Sequence, residues 1–163
     1  MMSGYIIGGI FMYREEYPRP QWVRKDWLNL NGSWQFDFDD NNEGINNNWY
    51  LNDYQLNNTI EVPYVYQTKL SGINDESCHD VVWYKRKVVI PNSWQGKRVI
   101  INFGAVDYRC FVYVNEKYIG YHEGGHTSFS FDITDALTWQ EEVITLRVED
   151  PSYDETIPRG KQT

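Results

Sequence analysis

Positive charge is sparse and unclustered in this chain. The 15 Lys and Arg stand against 23 Asp and Glu, for a net charge of −8. No stretch gathers the basic footprint that nucleic acid demands, which argues against a nucleic-acid partner. Long hydrophobic runs are missing too, and no segment reaches membrane-spanning length. The apolar piece Tyr5–Met12 is short, lacks a basic region before it and shows no clear cleavage site, so it makes a poor signal peptide. It reads equally as a leader-like extension with Met12 as the start. Cysteine is reduced to Cys78 and Cys110, too few for a disulfide framework in a domain of this size. Cys110 occupies an inward strand position and is expected to be a buried thiol. The Asn-X-Ser/Thr triplets at Asn31 and Asn57 matter only in a secreted eukaryotic protein, and cytoplasm is the expected location.

Sustained helical periodicity is absent as well, and alternation takes its place. Val99, Ile101 and Phe103 alternate with Arg98, Ile100 and Asn102. Cys110, Val112 and Val114 alternate with Phe111 and Tyr113, and Phe129 and Phe131 with Ser128, Ser130 and Asp132. Ile144, Leu146 and Val148 oppose Val143, Thr145, Arg147 and Glu149, and Trp34, Phe36 and Phe38 open an earlier strand. A period of two predicts half-buried strands. Turn chemistry separates them at Pro91-Asn92-Ser93, Gly104-Ala105, Asn115-Glu116 and Gly124-Gly125. Thr59–Val62 is a short strand, Val82–Ile90 a long one, and Thr134 or Asp135 is placed to cap one helical turn. Many short antiparallel strands in 163 residues predict one all-β domain, a β-sandwich. Aromatics are abundant, with 7 Trp and 13 Tyr. Sheet faces consume most such rings, and a surplus on the surface would suit sugar faces or protein partners.

Catalytic motifs are the last thing in short supply. His122-Glu123-Gly124-Gly125-His126 matches H-E-x-x-H in letters. A zinc protease needs that spacing on a helix, and two adjacent glycines between strands deny it one. No nucleophile elbow and no Gly-rich phosphate loop appear. The acidic residues fall in loops or at outward strand positions, where solvated surface is expected and a positioned acid–base pair is not. No catalytic residue, cofactor or metal is therefore assigned. What remains are two long polar loops, Tyr64–Asp80 and Pro151–Thr163, together with the Gly124-Gly125 loop. Loops of such length are often functional. They carry Asn74, Asp75, Asp154, Arg159 and Lys161, side chains able to bond hydroxyls, although the spacing by itself favours idle exposed turns.

Several stretches resemble the opening of family 2 glycoside hydrolases, the β-galactosidase/β-glucuronidase group. They are Glu16-Tyr17-Pro18-Arg19-Pro20-Gln21, Trp27-Leu28-Asn29-Leu30-Asn31-Gly32-Ser33-Trp34, Ile60-Glu61-Val62-Pro63, Lys69-Leu70-Ser71-Gly72-Ile73 and Val82-Trp83-Tyr84-Lys85-Arg86. Phe103–Tyr108, Val112–Asn115, Ile119-Gly120, Phe129–Leu137 and Pro158-Arg159-Gly160-Lys161-Gln162 continue the pattern in order over residues 13–163. The resemblance implies a jelly-roll β-sandwich, galactose-binding-domain-like, spanning 13–151. Residues 1–12 form an extension, disordered or an edge strand, and 152–163 a loop cut short before further domains. It implies partners within a parent chain, an immunoglobulin-like domain and a (β/α)8 barrel whose two Glu perform retaining exo-hydrolysis of terminal β-glycosides, and a carbohydrate substrate. Asp154, Arg159 and Lys161 are then the substrate-contact candidates, with Asn74 and Asp75 behind them. Asp154 sits where β-galactosidases place more acidic residues after a Ser-Tyr pair, and Asn115-Glu116 stands where Asn-Gly is usual, so a different turn is expected there. A stand-alone carbohydrate-binding module, a structural packing sandwich and a homo-oligomer are the competing expectations.

Overall fold

The structure, a computed structural model, describes residues 24–154, 156 and 157. The extension Met1–Met12 and the Glu16–Gln21 stretch lie outside them. Eight strands form among the described residues: β1 Gly32–Phe38, β2 Asn58–Val62, β3 Val81–Val89, β4 Ile100–Phe103, β5 Arg109–Val114, β6 Lys117–Glu123, β7 Phe129–Asp132 and β8 Glu141–Glu149. A six-stranded sheet runs β2-β1-β3-β8-β5-β6, and β4-β7 forms a second sheet. Every pairing is antiparallel. The domain is all-β, a jelly-roll sandwich with crossovers that set β8 between β3 and β5.

Alternation built the inner face as the pattern demands. Register places Phe36 beside Tyr84, Tyr84 beside Leu146, Leu146 beside Val112 and Val112 beside Gly120, one row across five strands. Val99, Ile101 and Ile133 close over it from the second layer, all buried. Each such side chain contributes on the order of 1.5–3 kcal/mol. The row ends on a glycine for a steric reason. A Cβ at Gly120 would lie 2.7 Å from Cε1 of Phe131 on β7. Gly120→Ala is therefore expected to force that ring aside and cost about 1–3 kcal/mol, read as a lowered urea midpoint with the slope unchanged.

The outer face departs from expectation. β3 and β8 are buried on both sides, not half-buried, because the 39–57 segment folds back over them. Trp83 is fully enclosed there by Trp49, Tyr50, Tyr54 and Leu56, a second core. Ring stacking continues it, with Trp49 on Tyr54 at 5.5 Å and Tyr50 on Tyr113 at 5.4 Å. Lys85, in the middle of β3, is buried and donates to the carbonyls of Trp49, Leu51 and Tyr54 at 2.8, 2.6 and 2.7 Å. Three N–H donors meet three loop carbonyls, so a cation takes the place of a strand partner.

Two local expectations also change. Thr134 and Asp135 lie within a 3-10 turn, Thr134–Ala136, and neither caps it. The Asp132 carboxylate takes the Thr134 amide at 3.0 Å, and the Thr134 hydroxyl instead accepts the Val99 N–H. The β5–β6 turn keeps left-handed geometry at both Asn115 (φ 49°) and Glu116 (φ 69°), the arrangement of an Asn-Gly hairpin. The Asn115 side chain explains why. Its amide donates to the Ala136 carbonyl and to Glu142 and accepts from the Val143 N–H, while Glu116 accepts from the Asn52 N–H. Those bonds offset the roughly 1–2 kcal/mol of left-handed strain at Glu116.

Candidate functional site at the loop-bearing end

Strand direction decides where the loops gather. β1 ends at Phe38 beside the start of β3, and β2 begins at Asn58. β8 ends at Glu149, paired with both Val81 and Arg109, and Arg109 pairs in turn with Glu123 at the end of β6. Segments 39–57, 104–108, 124–128 and 150–157 leave or enter at this one end, and the 63–80 loop finishes there. The Tyr108 carbonyl accepts from the Gly124 N–H at 2.8 Å, tying two of them together. Asp80 ties two more. Its carbonyl accepts the Asp150 N–H at 2.9 Å and its carboxylate the Ser152 N–H at 2.8 Å.

Beside that junction lies an open depression of about 670 Å³, lined by Phe38, Asn58, Gly72, Ile73, Asn74, Asp75 and Glu76. Both weaker sequence candidates, Asn74 and Asp75, thus line one surface. Asn74 is there first for the turn, with φ 57°. Asp75 accepts the Ser77 N–H at 2.8 Å, and Ser77 together with nearby His79 holds its carboxyl below the usual range. His79 stacks on Phe38 at 3.7 Å, meets Asp40 at 2.7 Å through Nδ1 and stands 3.6 Å from Asp75 through Nε2. This clamp joins the 39–48 and 64–80 loops, and a lone histidine at the end of a polar loop gave no sequence signal for it.

Asp154 lies in the exit segment, where its carboxylate accepts the Thr156 N–H and hydroxyl at 3.0 and 2.6 Å. Tyr153 beside it is 79% exposed, a ring that sequence reasoning passed over. Tyr108 donates to Glu123, and burial, then Glu123 and more distantly Asp154, push its hydroxyl up. Arg159 and Lys161 lie outside the described residues. This end therefore presents carboxylates, an amide and an exposed ring, groups able to bond hydroxyls and cover a sugar face.

The other acidic residues correct an expectation, since Asp37, Asp39 and Glu142 are buried rather than solvated. Asp37 accepts from the Asn57 backbone and from both Asn57 and Asn58 amides. Asp39 accepts from Glu43, Gly44 and the Trp83 indole. Burial pushes Glu142 up, but bonds from Thr138 and Asn115 outweigh it and hold the carboxyl low. Carboxylates so filled with donors are structural pins, unfit to pass protons to a substrate. His122 and Glu123 sit on strand β6, adjacent and so on opposite faces. His122 stacks on Phe129 at 4.2 Å and bonds Thr127, while Glu123 pairs with Arg109.

Residues 27–157 match the family described as "Glycosyl hydrolases family 2, sugar binding domain". A β-galactosidase of Thermoanaerobacter pseudethanolicus is 30% identical over 142 residues, covering 83% of this chain and 17% of that protein. A β-glucuronidase of Canis lupus familiaris is 30% identical, with 96% and 25% covered. Among solved structures, a Lactobacillus rhamnosus β-glucuronidase superposes with a TM-score of 0.68 at 29% identity, over 74% of this chain and 20% of that one. The chain spans no more than a quarter of the length of these relatives.

Proposed function

The chain belongs to the sugar binding domain family of the family 2 glycosyl hydrolases, and from that premise we propose that it is the non-catalytic N-terminal domain of a retaining exo-glycosidase. In this reading its loop-bearing end partly walls the active site of a downstream (β/α)8 barrel that cleaves terminal β-glycosides, with an immunoglobulin-like domain between them. One observation carries it. Asp80 fastens the end of the 63–80 loop to the exit segment, so that polar side chains from separate loops converge where the chain leaves the sandwich. Relatives named β-galactosidase and β-glucuronidase support the choice of sugars. The setting we propose is the cytoplasm, in keeping with two free cysteines, one of them exposed.

A chromogenic panel of β-galactoside and β-glucuronide, run on this 163-residue chain and on a parent chain carrying the barrel, tests the reading. Hydrolysis is expected from the parent alone. In that parent, Asp154→Ala and Tyr153→Ala should raise KM about tenfold with kcat changed less, the mark of lost binding rather than lost chemistry. Turnover by the isolated chain would overturn the proposal, as would a parent indifferent to both substitutions.

A further inference from the structure

A second aromatic surface lies away from those loops, on the outer face of the β5–β6 hairpin. Tyr118 and Tyr121 are three residues apart, a spacing that regular alternation sends to opposite faces. A register shift between Val112 and Tyr113 undoes this: Tyr118 pairs with Tyr113, Gly120 with Val112, and Ile119 is the extra residue. Bulges of this kind re-aim side chains, and here both tyrosines emerge on one face, 53% and 58% exposed. Each is braced from behind. Tyr121 stacks on Phe111 at 5.8 Å, and Tyr118 leans on Tyr113 at 5.6 Å. Below, the Arg147 guanidinium sits 5.4 Å from the Phe111 ring.

We propose that this face is a saccharide-binding platform on which Tyr118 and Tyr121 stack against the apolar faces of two linked pyranose rings. Area decides between occupants. Two tyrosines of roughly 200 Å² each, about half exposed, offer on the order of 200 Å². A stable protein interface needs about 800 Å² from each partner, whereas a disaccharide needs no more than the two rings. Across the bulge the step from Tyr118 to Tyr121 matches the two-residue step from Tyr113 to Phe111, roughly 7 Å, which sets the two rings side by side on one face. The bracing rings hold both tyrosines before any ligand arrives, which keeps the entropy lost on binding small. The platform is separate from the loop-bearing end and does not depend on the role proposed for it.

Titration of the 163-residue chain with lactose, cellobiose and xylobiose, followed by calorimetry, tests the proposal. At least one disaccharide is expected to bind, with Tyr118→Ala and Tyr121→Ala each weakening it about tenfold. Val89→Ala, at the exposed end of β3, should leave that binding within about twofold. The proposal is overturned if none of the three sugars binds, or if binding survives both platform substitutions. It is equally overturned if those substitutions abolish self-association in light scattering while no sugar binds, since the face would then serve a second copy of the chain.

Discussion

Asp39→Ala is expected to cost about 3–5 kcal/mol and lower Tm by roughly 10 °C. The carboxylate accepts three hydrogen bonds, from the Glu43 N–H at 2.7 Å and from the Gly44 N–H and Trp83 Nε1 at 2.9 Å. Its removal leaves all three donors without a partner against a packed indole, and each buried orphan costs about 1–3 kcal/mol. Relaxation offers little relief, because the site is crowded. A Cβ on Gly44 would lie 2.6 Å from Trp83 Nε1 and 2.7 Å from Asp39 Oδ2. Asp39→Asn separates shape from chemistry. It fills the same space but turns an N–H₂ group towards N–H donors, so it should recover less than half of the loss. Near-complete recovery in thermal denaturation would show that volume, not the carboxylate, holds the 39–57 segment on the sheet.

That segment also marks the boundary of what the sequence made legible. Strand alternation located the inner core, since Phe36, Val112, Ile144 and Val148 fall on the face their spacing assigns. It gave no sign that Lys85, Arg147 and Asp37 would be covered, because period two reports only that one face differs from the other. Whether the polar face is covered depends on where a distant, patternless segment folds, and residues 39–57 carry no periodicity to announce it. Buried polar groups are invisible to hydropathy for the same reason: Lys85 is a core residue by virtue of carbonyls more than thirty positions away. At the candidate site, Asn74 and Asp75 were legible as loop polar residues, and the surface they share is visible only once the loop is folded. Asp80 and His79 act through residues more than thirty positions distant, Ser152 and Asp40. The tyrosine platform was hidden by a bulge, which breaks the alternation that exposes every other strand.

Lys85→Met should cost about 3 kcal/mol at pH 7 and change how stability responds to alkali. The loss arises because the carbonyls of Trp49, Leu51 and Tyr54 keep their burial and lose their donors. The pH response follows from the cation itself. Burial pulls the Lys85 ammonium down to about 8, against a weaker upward pull from Asp53 and Glu116. The unfolded chain holds that proton to about 10.5, so between these values the unfolded state binds more protons and stability rises with pH. Two groups act in the opposite sense. Burial pushes the Cys110 thiol up to about 12 from an unfolded 9.0, and it raises the Tyr84 hydroxyl above its unfolded 10.0. The unfolded state releases these protons first, so stability falls from pH 9 upward. The wild-type urea midpoint should therefore climb by the equivalent of about 1 kcal/mol between pH 8 and 9, then decline. In Lys85→Met the climb should vanish while the decline remains. An identical climb in both proteins would place its origin elsewhere, and a flat wild-type profile from pH 8 to 9 would mean that the three carbonyls hold the ammonium strongly enough to cancel its burial.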